Sequence, residues 1–594
     1  MRQVMFRFQN RLPRLPLPNL HATCRQYLAA VAPFLSEHQR QATQALVEDF
    51  ENNAGRLLHE LLEQIDSTTD KNWMYDFWRD LVLSIRYPLL INVNPCYVYR
   101  GKIEATKDTL AALGARLLIA TGRFIDNVAS ERLPPDVQKD VPRCMSQYKT
   151  MFSSGRIPHI RMDQFVTFAL TRHIVVLHRN RFFRLNILDV HGQPLPQAEL
   201  ENALQWIIDV ADSPTLKDSS IGSVGVMTSA NRTDWAVWRS CLAAFDVLNQ
   251  DSLSLVDSAL FVLCLEESAP RDLAELSRMV LHGDGRNRWF DKPIQVILAA
   301  DGSFGVNTEH TLVDGLTAVR FIDEIHTGLS HDLADDPSTG STELFNSKNV
   351  EEIHWRLPPT IISAIRTAET DVDTLIGENE TRVLSYKRFG KNHIAGNGFS
   401  PDVILQLAFQ MGCFRRFDRL YSAYESVNTR KYKFGRGSAI RTVTPESLEL
   451  VTGFDNAASR SDQWALLDLA AHRHVQLIKD CSSGQGFDRH LFALRTLSEL
   501  SGREHPLFRA GATAEILDRV ILSTSGLRSP SIGLVGFGPV DPEGYGLGYV
   551  IHENHIVVNA TSKTRETTLL LECIEKSLND FGELIEIHRA GSTF

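Results

Sequence analysis

The stretch Asp301-Gly-Ser-Phe-Gly-Val-Asn-Thr-Glu-His310-Thr-Leu-Val-Asp314-Gly315 sets an imidazole four residues before a carboxylate. A histidine takes up or releases a proton near neutral pH, which is what a general base requires. An acid at this spacing can lie on the same face of a tight turn and orient either the imidazole or a nearby cation. The plain alternative is a satisfied structural histidine, one of twenty in the chain. No GxSxG elbow supplies a protein nucleophile, and Cys264 and Cys413 sit in apolar runs where a thiol stays protonated. If His310 is a base, the nucleophile belongs to a substrate.

The elements around it read as a hairpin. Residues 293–299 form a strand, Asp301-Gly302 reverses the chain through positive φ, and residues 304–307 return. His310 then follows a strand end, where a sheet holds a side chain within reach of a cleft. Upstream, residues 173–188 read as a second hairpin turning near Asn180, with Phe183, Leu185 and Ile187 alternating against Arg184 and Asn186. Phe50, Ala54, Leu57, Leu58, Leu61 and Ile65 recur at helical spacing, and residues 235–248 and 269–281 read as further helices. Ser400-Pro401-Asp402 opens a helix, with Ile404, Leu407, Ala408 and Met411 on one face. Residues 531–540 and 548–559 are short strands around a Pro/Gly turn. The polar, acidic segment 327–349 is the expected crossover between halves, and no repeat at a fixed period is visible.

A chain of 594 residues exceeds one hydrophobic core, so two domains, or one fold built twice, are expected. A net charge of −10 and scattered basic residues argue against a nucleic-acid partner. The eight cysteines are widely spaced, without CxxC or zinc-type spacing, and read as reduced. No run reaches the roughly 18–20 apolar residues of a transmembrane helix. The first 36 residues carry arginines and no acid, but Pro13, Pro16 and Pro18 oppose the helix of a mitochondrial presequence. The ending Ser-Thr-Phe is not a peroxisomal tripeptide, which leaves the cytoplasm as the expected location.

Two more segments could carry chemistry. Gly536-Phe537-Gly538-Pro539 lacks the geometry of a dinucleotide loop, because of its proline and the missing helix. The hydroxyls of Ser523-Thr524-Ser525 matter if they face a developing oxyanion, where a preorganised donor contributes about 3–4 kcal/mol.

Taken in order, the motifs resemble those of the choline/carnitine acyltransferase family. They are Leu12-Pro-Arg-Leu-Pro-Leu-Pro to Tyr27-Leu28, Arg172-His-Ile-Val-Val-Leu177, Asn287-Arg-Trp-Phe-Asp-Lys292, Glu309-His310 with Asp314-Gly315, Gly390-Lys391 with Ser400-Pro-Asp402, Tyr424-Glu-Ser426, Asp488-Arg-His-Leu491, Ser523-Thr-Ser525 and Phe537-Gly-Pro539. The resemblance implies an α/β fold of two similar domains, each a mixed β-sheet flanked by helices, with an active-site tunnel between them and no metal. It implies a helical segment over 12–72 packed on the C-terminal half, a first domain over 73–357 carrying the histidine, and a second over 358–594. The implied reaction moves an acyl group between the thiol of coenzyme A, a co-substrate and not a bound cofactor, and the hydroxyl of carnitine. His310 matches the general base, and no acyl-enzyme is needed. Ser525 matches the oxyanion donor, and Asp314 an acid reaching toward Arg489. Ser523 and Phe537 match the ammonium pocket, Tyr424 and Arg489 the carboxylate contacts. Lys391, Asp402, Ser426 and Arg473 match positions around coenzyme A.

Departures from the family pattern bear on the substrates. Arg489 stands where choline-using members carry asparagine, which argues against choline. Asp314 replaces a glutamate and is one methylene shorter. Gly437 replaces a threonine whose hydroxyl binds the carnitine carboxylate; one such bond is worth about 0.5–1.5 kcal/mol. Ala395 replaces the second of two lysines aimed at the 3′-phosphate of coenzyme A, so a donor on an acyl carrier protein stays open. Val535 replaces the methionine that closes the acyl tunnel in short-chain members, which implies room for more than acetyl. The remaining alternatives are acyl transfer to another alcohol or polyol, as in polyketide-releasing domains, and an inactive member kept as a scaffold.

Overall fold

A computed structural model describes residues 4–105, 109–213, 223–331, 348–509, 511–563 and 566–591. Fourteen strands build two large mixed sheets. They are β1 (Cys96–Tyr99), β2 (His173–His178), β3 (Arg181–Asn186), β4 (Val262–Glu266), β5 (Gln295–Ala299), β6 (Phe304–Asn307) and β7 (Val350–Ile353), then β8 (Asn379–Tyr386), β9 (Ala423–Asn428), β10 (Gly437–Arg441), β11 (Leu522–Leu527), β12 (Ile532–Gly536), β13 (Tyr545–Ile551) and β14 (Ile556–Lys563). The first sheet has the order β7-β3-β2-β4-β5-β6-β1-β12 and the second β8-β14-β13-β11-β9-β10.

One topology is used twice. In the first sheet the antiparallel pair β2/β3 is followed by β4 and β5, each parallel to its predecessor, and β6 returns antiparallel. In the second, β9/β10, β11, β13 and β14 repeat that scheme. The supporting helices repeat as well. Eight helices are labelled here: α1 (Leu20–Val31), α2 (Glu37–Asn52), α3 (Ala54–Thr68), α4 (Leu110–Ala129), α5 (Gly315–His331), α6 (Pro401–Phe417), α7 (Phe487–Leu500) and α8 (Thr567–Gly591). Helix α4 packs on α5 in the first half as α6 packs on α8 in the second. Both α4 and α6 are buried around most of their circumference, which matches their largely apolar composition.

Two features cross the expected boundary at residue 357. Strand β12 leaves the second half and pairs antiparallel with β1, so the first sheet is completed by C-terminal residues. Helices α1 and α3 bury Leu20, Tyr27, Leu58 and Leu62 against Phe487, Leu491 and Leu494 of α7.

Local reasons explain where the elements depart from the sequence expectation. The run 235–248 is two helices, Arg232–Phe245 and Val247–Ser258, because Asp246 is extended and its carboxylate accepts the Leu248 amide. The helix expected over 269–281 starts at Leu273, where Asp272 caps the Glu275 amide. The heptad-like stripe of residues 50–65 is broken at Asn53, and Leu57 and Leu61 are exposed while Leu58 and Leu62 are buried. Residues 548–559 span two strands, β13 and β14, not one. Ser400 precedes α6 without a side-chain capping bond, so Pro401 and the acid in the first turn define that start. The expected crossover lies outside the described residues from 332 to 347; before it, α5 runs on to His331. Among the described residues no helix is long and apolar enough to cross a membrane.

Candidate active site

The β5–β6 hairpin turns at Gly302, whose φ of +80° and contact with the Ile103 carbonyl, 2.4 Å from an added Cβ, leave room only for glycine. Asp301 accepts the Ser303 amide at 3.0 Å and fixes the turn. Beyond β6 the Thr308 amide donates to the Pro95 carbonyl, anchoring the chain beside β1. His310 follows with a third of its side chain exposed. Its Nδ1 lies 2.9 Å from the Val313 carbonyl. A carbonyl only accepts, so Nδ1 carries the hydrogen and Nε2 is left with a free lone pair.

Behind the histidine runs a buried chain of charges. Glu309 accepts from Arg156 at 3.0 Å and from the Thr311 amide. Arg156 and Arg232 each hold Asp163 at 2.7 Å, Arg86 reaches the same carboxylate at 2.8 Å, and Arg232 continues to Asp291 at 2.6 Å. Three acids balance three arginines, which is the condition for burying them at all. The result is a rigid floor beneath residues 309–311.

Asp314 is held from two sides. Arg436 grips its carboxylate through Nε and Nη2 at 2.8–3.1 Å, and Gln147 donates to it at 2.8 Å while accepting the Asp314 amide. The same arginine reaches the carbonyls of Thr311 and His310. Burial alone would raise this carboxyl; the Arg436 guanidinium, with smaller help from His310 and Gln147, outweighs it and holds the group at about 2. Asp314 Oδ1 is 3.9 Å from His310 Nδ1, so it faces the ring without bonding it. The expected reach of Asp314 toward Arg489 is therefore corrected: its partner is Arg436. Arg489 bonds Asp488 at 3.0 Å and lies 4.2 Å over the Trp78 ring. With aspartate at 314, the guanidinium already beside the turn takes both carboxylate oxygens.

The second half contributes β11. Alternation along the strand puts Ser523 and Ser525 on one face and Thr524 on the other. Ser523 donates to the Tyr424 hydroxyl at 3.1 Å across the parallel β9–β11 pair, while Thr524 donates to the Tyr424 carbonyl and receives a bond from Gln406. Ser525 is partly exposed. An added Cβ on Gly315, the residue after Asp314, would lie 3.3 Å from Leu527, so the end of β11 meets the His310 turn.

Gly437 opens β10 one residue after Arg436 and lines one small hollow with Arg489, Met74 and Ser438. An added Cβ there meets nothing within 4 Å, and the backbone is not left-handed. The Arg489 Nε is buried without a hydrogen-bond partner, a donor left over in that hollow. Val535 on β12 is 2% exposed within the first core, next to partly buried Phe537.

The four residues expected around coenzyme A occupy separate elements. Lys391 begins the helix Lys391–Gly396 and bonds Glu553 at 2.9 Å, with exposed Ala395 one turn on. Asp402 accepts from the Tyr549 hydroxyl at 2.6 Å; burial, then the neighbouring Glu425, raises its carboxyl to about 7. Ser426 is exposed on β9. Arg473 lines a different hollow with Arg441, Thr444 and Phe487. Cys264 and Cys413 are buried, and desolvation pushes both thiols up to about 12, so neither is a nucleophile.

Sequence reasoning left Arg436, Gln147 and Arg156 without roles. Arg436 and Gln147 lie more than 120 residues from Asp314, and Arg156 lies 153 residues from Glu309, so only the fold joins these pairs.

The sequence profile described as Choline/Carnitine o-acyltransferase matches residues 15–576. Among curated proteins, carnitine O-palmitoyltransferase 2 of Xenopus tropicalis is 31% identical, covering 98% of this chain and 92% of its own. The Rattus norvegicus protein of the same name is 32% identical with the same coverage. Carnitine O-acetyltransferase of Rattus norvegicus is 29% identical over 98% of this chain and 94% of its own.

Proposed function

The chain belongs to the choline/carnitine O-acyltransferase family, and from that premise we propose that it transfers acyl groups between coenzyme A thioesters and the hydroxyl of carnitine, with His310 as general base. The observation that carries this is the free lone pair on His310 Nε2, fixed by the Nδ1–H bond to the Val313 carbonyl. Nε2 removes the proton of the acceptor hydroxyl as its oxygen attacks the thioester carbonyl. A tetrahedral oxyanion forms, and the Ser525 hydroxyl donates to it. Collapse breaks the carbon–sulfur bond, and the leaving thiolate takes the proton back from Nε2. No bond to the protein is made at any step.

In this scheme Tyr424, Ser523, Phe537 and Arg489 hold the acceptor. Lys391, Asp402, Ser426 and Arg473 hold coenzyme A, and Val535 ends the acyl pocket, where its small side chain favours more than acetyl. The eight cysteines are free, which suits a reducing compartment such as the cytoplasm. A mass-spectrometric screen of acetyl- to palmitoyl-CoA against carnitine, choline and small polyols tests the proposal. Acylcarnitines are the expected products; ester formation only on other alcohols would replace carnitine as the acceptor.

A second reading, transfer to a different alcohol or from a carrier-bound thioester, is favoured by the open space beside Gly437 and by Ala395. Gly437→Thr distinguishes the two. With carnitine as acceptor, the added hydroxyl fills free space, contributes about 0.5–1.5 kcal/mol, and lowers the KM for carnitine about 2- to 12-fold with little change in kcat. A KM that does not move would favour an acceptor without the carboxylate.

A further inference from the structure

At the far end of the first sheet from His310, three side chains converge. His310 follows β6, whose Asn307 pairs with Gln295 at the start of β5, whereas β2 and β4 end beside Ala299 at the close of β5. His178 is the last residue of β2 and is 1% exposed. Its Nδ1 faces the Leu265 carbonyl at 3.4 Å, so that nitrogen carries the hydrogen and Nε2 presents a lone pair. Nε2 is buried and has no hydrogen-bond partner. It points at two exposed carboxylates, Asp212 Oδ1 at 3.9 Å and Glu267 Oε1 at 3.8 Å.

We propose that His178, Asp212 and Glu267 form a binding site for a divalent transition metal of the zinc type. All three ligand atoms lie within 4.8 Å of one another. A cation between them would stand roughly 2.2–2.5 Å from each, close to zinc–nitrogen and zinc–oxygen bond lengths. One imidazole and two carboxylates suit zinc better than calcium or magnesium, which take all-oxygen sets. A water would complete four-coordination.

Arg179 occupies the cation's place in the meantime. Its guanidinium bridges Asp212 at 2.9 Å and Glu267 at 2.5 Å, from the left-handed turn it forms with Asn180. It therefore acts as a tethered competitor, and metal binding requires it to swing into solvent, where over a third of its side chain already lies.

Titration of the full-length protein with zinc chloride in a non-chelating buffer, read by calorimetry and repeated with cobalt(II) absorption, tests this. The wild type is expected to bind one equivalent that the double variant Asp212→Asn/Glu267→Gln, changed only at exposed positions, and His178→Gln both lose. Arg179→Ala is expected to bind at least tenfold more tightly. Unchanged stoichiometry and affinity in the double variant would overturn the proposal, as would Arg179→Ala binding no more tightly than wild type.

Discussion

Replacing His310 with alanine is expected to lower kcat by about 10²–10⁴-fold, the usual contribution of a positioned general base. The Michaelis constants for both substrates should change little, because the imidazole is offered to a proton and not to a binding group. The fold should tolerate the change: the ring has one backbone hydrogen bond, and the floor under it is made by Glu309, Arg156 and Asp163. Steady-state kinetics on purified His310→Ala, with thermal unfolding as a control, provides the measurement. Turnover within a few-fold of wild type, in a protein of unchanged Tm, would remove the histidine from the chemistry and leave the scaffold alternative standing.

Arg436→Ala is expected to have the largest effect on stability. It leaves the Asp314 carboxylate buried with only Gln147 and a histidine ring for company, and breaking a buried pair in this way costs about 3–5 kcal/mol. It also frees the carbonyls of residues 310 and 311, so activity should fall with stability. The variant Arg436→Met/Asp314→Leu separates the two effects: an apolar pair recovers much of the Tm but not the turnover, since the turn loses the clamp that orients it. Equal recovery of both would mean that the pair is only structural. The pH dependence has a definite sign. The folded-state pKa of Asp314, about 2, lies below the ordinary carboxylate value. Its stabilising contribution is thus complete above about pH 4 and is lost as pH falls through 2. Between pH 5 and 9 neither stability nor rate should show an inflection from this group, and Asp314→Asn should leave the position of any acidic limb in the rate profile unchanged.

The parts of the molecule that could be read from sequence are those fixed by neighbours along the chain. Asp301-Gly302 announces its turn because glycine alone takes that backbone conformation beside Ile103, and Arg179-Asn180 does so for the β2–β3 hairpin. Errors in helix limits came from short polar residues acting as caps inside periodic stretches, as Asp246 and Asp272 do. The doubled fold expected from chain length and family resemblance leaves no repeat at a fixed period, because the duplication preserves strand order and not spacing: the loop between β11 and β13 has absorbed an additional strand, β12. The family resemblance implies Arg489 as the partner of Asp314, whereas the fold supplies Arg436. Both arginines lie in the second half, and choosing between them depends on where β10 begins, which no local pattern encodes.

Strand β12 does more than complete a sheet: in the proposed mechanism it also ties the two reacting groups together. Ser525 is joined through the short segment after β11 to β12, β12 is hydrogen-bonded to β1, and β1 to β6, which ends three residues before His310. Under the proposed roles of Ser525 and His310, the gap between oxyanion donor and base is thus spanned by backbone ladders and not by two lobes free to swing apart. An enzyme wired in this way has its reacting groups in register before substrate arrives. With no lobe closure to wait for, turnover is expected to follow product escape.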